Sequence, residues 1–121
     1  MKTILVVDDT LTQITLLTTA LREAGYNTIE ALSSEEAREK MSIHVPDAIV
    51  LDVVLPGISG FELCRELKQD PMTKSIPIIL CSTKGGEMDK FWGMKQGAAS
   101  YLVKPIDTEE LLRAVKLLML P

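Results

Sequence analysis

The sequence predicts an α/β protein: five βα units wound on both faces of a five-stranded parallel sheet, with one domain spanning residues 1–121. Three observations predict it. Apolar residues alternate between short unbroken runs and helical spacing. The runs are rich in Ile, Leu and Val and lack the apolar/polar alternation of a sheet wetted on one face, so both faces are covered. The connections are too short to hide a second domain. A chain of 121 residues, 46% hydrophobic and 25% charged, has ordinary globular usage and length enough for a core without disulfide or metal staples.

Taken in order, residues 3–8 form the first strand, and the helix at 12–24 repeats Ile14, Leu17, Leu21 and Ala24 before stopping at Gly25, which suits a left-handed C-terminal turn. The second strand is 27–31. The helix at 34–43 opens with Ser34-Glu35-Glu36-Ala37, read as a serine N-cap with acids where the helix dipole favours them. After the strand at 48–52, the helix at 59–69 carries Phe61, Leu63, Cys64 and Leu67 and ends near Asp70-Pro71. The strand at 76–82 leads to a helix at 86–96 with Met88, Phe91 and Trp92, closed by Gly97. The last unit is a strand at 100–103 and a helix at 108–120, which starts Thr108-Glu109-Glu110-Leu111 and continues through Leu112, Val115 and Met119.

Thirteen Lys and Arg against 17 Asp and Glu give a net charge of -4, which disfavours nucleic-acid or membrane-surface binding. The longest apolar stretches, 4–7 and 76–82, fall far short of the roughly 20 residues of a membrane span. Asp8-Asp9 cuts the first run before it reaches signal-peptide length, so a cytoplasmic location is expected. Cys64 and Cys81 have no metal-type spacing and read as small buried hydrophobes in a reducing compartment. His44, before the third strand, reads as a surface residue away from any chemistry.

Right-handed crossovers place the C-terminal ends of the strands along one sheet edge, where open α/β sheets bind ligands. The first strand ends in Asp8-Asp9, the third in Asp52, the fourth in Ser82-Thr83, and the fifth runs into Lys104-Pro105. Three carboxylates gathered within a few ångströms repel one another unless a cation neutralises them. All-oxygen ligands without imidazole or thiolate favour a hard ion, and a shallow acidic cup suits Mg²⁺ better than Ca²⁺, with Mn²⁺ as a substitute. Any one of these aspartates alone reads as a helix cap or loop opener; four polar elements at four strand ends point to a site.

Val6-Val7-Asp8-Asp9, Ile49-Val50-Leu51-Asp52, Leu55-Pro56-Gly57 with Gly60, Cys81-Ser82-Thr83 and Tyr101-Leu102-Val103-Lys104-Pro105 resemble the receiver domain of two-component response regulators over essentially the whole chain. The intervals from Asp52 to Ser82 and to Lys104 match the chemotaxis-type member. The resemblance implies the flavodoxin-like sandwich with strand order 2-1-3-4-5. It also implies Asp52 as phosphoacceptor for a partner histidine kinase, and Mg²⁺ held by Asp8, Asp9, Asp52 and the backbone carbonyl of Val54. Lys104 and Ser82 would contact the phosphoryl group, and Lys104-Pro105 would be cis. On phosphorylation Ser82 would move toward the phosphoryl oxygen and Tyr101 would turn inward, remodelling the face of the fourth helix, fifth strand and fifth helix for a downstream protein. Trp92 reads equally as packing aromatic or partner contact on that face. The state expected is a monomer or weak dimer.

Within the family, Ser82-Thr83-Lys84, Trp92-Gly93 and Gln96-Gly97-Ala98 are similar to stand-alone receivers of twitching-motility and phototaxis pathways that use type IV pili. Thr83 departs from the usual Ala or Gly and narrows access to the site. Val54 and Lys84 cannot orient an attacking water, so slow self-dephosphorylation is expected. Three rival functions fit these residues less well. A haloacid-dehalogenase-type phosphatase needs an Asp two residues after the nucleophile, where this chain has Val54, and a flavin binder would not place Asp8-Asp9 beside a flavin phosphate. A phosphorylation-independent interaction module ranks below the receiver because every site residue is present.

Overall fold

The computed structural model describes residues 1–120. Strands and helices alternate as β1 (Thr3–Val7), α1 (Leu11–Glu23), β2 (Asn27–Ala31), α2 (Ser34–Ile43), β3 (Ala48–Asp52), α3 (Gly60–Gln69), β4 (Ile78–Ser82), α4 (Glu87–Lys95), β5 (Ser100–Val103) and α5 (Thr108–Leu118). All pairings are parallel, in the order β2-β1-β3-β4-β5, as the sequence reading expected.

The unbroken apolar runs follow from two cores that share the central strands β1, β3 and β4. Leu5, Val7, Ile49, Leu51, Ile78 and Leu80 pack with Ala37 and Met41 of α2 and Leu63 and Leu67 of α3. Their neighbours Ile4, Val6, Val50, Ile79 and Cys81 point the other way, onto Ile14, Leu17 and Leu21 of α1 and Leu111 and Val115 of α5. β1, β3 and β4 are buried at every position, whereas the edge strand β2 is only partly covered. Cys64 and Cys81 are free and buried, as their composition reading held. His44 is exposed at the end of α2. Among the described residues no helix is long and apolar enough to cross a membrane.

The element ends differ from the sequence reading for local reasons. The N-cap of α2 is Ser33, whose side chain accepts from the Glu36 amide, and not Ser34. Ser34 occupies the first turn, buried, with its hydroxyl donating to the Ile58 carbonyl 2.8 Å away. Ser59 caps α3 rather than opening it. β4 begins at Ile78, not Ile76, because Pro77 has no amide to donate and the Ile76 amide closes a turn on Thr73. Asp107 caps α5 one residue before the expected start, and the helix ends at Leu118.

Candidate functional site

The loops after β1, β3, β4 and β5 bring the predicted strand-end residues together. Carboxylate oxygens of Asp8, Asp9 and Asp52 all lie within 4.8 Å of one another. Asp8 and Asp52 are buried and Asp9 is exposed, so the cluster is a cup with one wet side. Thr10 orients Asp8: its amide and its hydroxyl both donate to Asp8 Oδ1 at 3.0 Å. The other oxygen of Asp8, Oδ2, accepts from Lys104 Nζ at 2.8 Å, and the same ammonium stands 3.3 Å from Asp52 Oδ2. Lys104 thus reaches from the end of β5 to neutralise two carboxylates, and the peptide bond from it to Pro105 is cis.

One ammonium does not balance three carboxylates. Burial pushes the Asp52 carboxyl above its ordinary value and the Asp8 charge adds to this, while Lys104 and the Val54 amide oppose it. Burial works against the Lys104 ammonium, yet the hydrogen bond it donates to Asp8 and the Asp52 charge outweigh it and hold its pKa above the ordinary value. A hard cation fits this donor set: three carboxylate oxygens in reach of one another, negative charge left over, and no nitrogen or sulfur ligand offered. Cys81, on β4 beside Asp52, is no rival nucleophile, because burial pushes its thiol up to about 12.

Ser82, buried at the end of β4, accepts at its Oγ from the Lys84 amide at 3.0 Å. Val54 is joined to Asp52 by its amide, which donates to Oδ1 at 3.4 Å, and its side chain is exposed. Gly60 lies so close to the end of β3 that a Cβ there would stand 2.0 Å from the Asp52 carbonyl oxygen. A family model for the response regulator receiver domain matches residues 4–116. The chain belongs to this family.

Two curated relatives and two solved structures bear on that membership. Protein PilH of Pseudomonas aeruginosa is 39% identical over 115 residues, covering 95% of each chain. The phosphate regulon transcriptional regulatory protein PhoB of the same organism is 43% identical over 115 residues, but these span only 50% of that protein. A putative response regulator from Chloroflexus aurantiacus superposes with a TM-score of 0.92 at 41% identity, over 97% of this chain and 96% of that one. The chemotaxis protein CheY4 of Vibrio cholerae gives 0.91 at 30% identity, over 98% and 99%. This is a receiver of a two-component response regulator, and receivers are signalling modules rather than metabolic enzymes.

In this receiver Tyr101 is partly buried, packed inward against the core that contains Leu80, and its hydroxyl donates to the Lys84 carbonyl at 2.6 Å. Trp92 is 49% exposed on α4, with Phe91 at 58% and Met88 at 77% beside it. Sequence reasoning missed Thr10 and the Lys84 carbonyl. Thr10 had a readable signal, a hydroxyl residue two positions after a strand-end Asp; a backbone carbonyl has none.

Proposed function

We propose that Asp52 accepts a phosphoryl group from the phosphohistidine of a partner histidine kinase, in the cytoplasm, and that this resets the face formed by α4, β5 and α5 for a downstream protein. The observation that carries the reading is the Lys104 ammonium between Asp8 and Asp52, with three carboxylate oxygens inside 4.8 Å. A carboxylate oxygen of Asp52 attacks phosphorus, the phosphorus–nitrogen bond to the kinase imidazole breaks, and the imidazole leaves with the electron pair. Phosphoryl transfer asks the protein mainly for positioning and for charge on the equatorial oxygens. Lys104 supplies one positive charge and Ser82 a directional hydroxyl. Asp8, Asp9, Asp52 and the Val54 carbonyl would hold Mg²⁺, which when bound supplies the remaining positive charge.

Beryllofluoride, an acyl-phosphate mimic, tests the reading when titrated with Mg²⁺ and followed by amide NMR shifts at Asp52, Ser82 and Tyr101 and by Trp92 fluorescence. A saturable change that needs both components and vanishes in Asp52→Asn is expected. Unaltered spectra for the native chain would overturn the proposal. Once phosphorylated, the isolated chain should release phosphate more slowly than a chemotaxis-type regulator assayed beside it, since neither Val54 nor Lys84 offers a carboxylate or amide to orient water. Equal rates would remove that part of the account. A place in type IV pilus motility or phototaxis is supported by the Trp92-Gly93 and Gln96-Gly97-Ala98 segments, and by the match to PilH over 95% of both chains.

A further inference from the structure

The fourth helix meets the sheet in an unusual way. Gly93 is its one buried residue, while Phe91, Trp92 and Met94 around it are 58%, 49% and 47% exposed. The helix is therefore seated on the protein by bare backbone rather than by an apolar side chain. What lies under that backbone is the ring of Tyr101. A Cβ at position 93 would come within 2.8 Å of Tyr101 Cδ2 and 3.1 Å of both Tyr101 Cε2 and Leu80 Cδ1. Carbon atoms in contact prefer about 3.5–4.0 Å, so ring, helix or Leu80 would have to move. The other end of the ring is fixed by the 2.6 Å hydrogen bond from its hydroxyl to the Lys84 carbonyl. Gly85 repeats the pattern one step along β5: a Cβ there would stand 2.8 Å from Val103 Cγ1. Tyr101 and Val103 share one face of their strand, so two glycines let the β4–α4 loop and α4 close on that face together.

We infer that Gly93 is a positioning residue for Tyr101: its missing side chain forms the seat of the inward ring and so sets the balance between the inward and outward positions. Helix formation alone argues the opposite choice, because glycine is poor in a helix interior and alanine is the best residue there. A merely structural Gly93 would thus tolerate or welcome alanine, whereas a seat would expel the ring. The coupling of that balance to Asp52 rests on the function proposed above; the seat itself does not.

NMR of the unphosphorylated native chain and of Gly93→Ala tests the seat directly. Ring-to-methyl contacts between Tyr101 and Leu80 are expected in the native chain and should be lost in Gly93→Ala, with the remaining fold intact. Persistence of those contacts in the variant would overturn the inference. If Gly93→Ala does not fold, Gly93→Ala/Tyr101→Ala decides. Its folding shows that the ring was the obstacle, and its failure to fold shows that the ring was not. Beryllofluoride with Mg²⁺ reads the coupling: binding to Gly93→Ala should weaken about fivefold or more. Equal affinity would sever the seat from the site. A native chain that binds no beryllofluoride, while the ring contacts still depend on Gly93, would remove the receiver reading and leave the seat standing.

Discussion

Asp52 sits among opposing electrostatic influences. Burial and the neighbouring Asp8 charge raise its pKa against the pull of Lys104. Between the ordinary carboxylate value and the raised one, the folded chain holds a proton that the unfolded chain has released. Stability therefore falls as pH rises through that window, and the deficit persists above it. Asp52→Asn removes the charge while keeping the shape. Without divalent cations it should resist urea better than the native chain at neutral pH, by about 1 kcal/mol, and the gap should close below the ordinary carboxylate range. Equal midpoints at both pH values would show that the cluster carries no strain. Asp8, Asp9, Asp52, Ser82 and Lys104 were legible because each stands at the end of an apolar strand, where parallel topology dictates convergence. Thr10 left a local signal, a hydroxyl two positions after Asp8, that was passed over, whereas Gly93 left none, because it acts by the absence of a side chain at a contact between distant segments.

At the scale of elements, the strands and helices of the described residues were readable from periodicity, since strands covered on both faces and one-faced helices leave different apolar patterns. Their ends were less so. Ser33 and Ser34 are both plausible caps by residue type, and only the burial of Ser34 against the Ile58 carbonyl assigns the cap to Ser33. The junction of β3 with α3 is where an element's start governs the site, because the Gly60 amide donates to the Val53 carbonyl at 2.8 Å and its Cα approaches the Asp52 carbonyl. A methyl group there meets backbone that cannot step aside. Gly60→Ala should cost about 3 kcal/mol in urea unfolding and weaken Mg²⁺ binding by shifting Asp52. A cost near zero with unchanged Mg²⁺ affinity would show that the loop yields without moving the carboxylate.

Across the whole molecule, four loops from four strands close one cup, so a ligand held there ties the sheet's C-terminal edge together. Anything bound only to the folded chain stabilises it by mass action: Mg²⁺ at one hundred times its dissociation constant should add about 2.7 kcal/mol. Because Mg²⁺ needs ionised carboxylates and the Asp52 pKa is raised, this gain should fade as the solution is made acidic, and most of it should be missing in Asp52→Asn. An equal gain in both chains would place the ion elsewhere. Whether Asp52 accepts a phosphoryl group is read by intact mass after incubation with a small phosphodonor, with and without Mg²⁺, for the native chain and Asp52→Asn. One added phosphoryl group is expected on the native chain, formed only with Mg²⁺ and absent from the variant. No adduct under any condition would contradict it in favour of a phosphorylation-independent interaction module, and free phosphate released over many turnovers would contradict it in favour of a phosphatase.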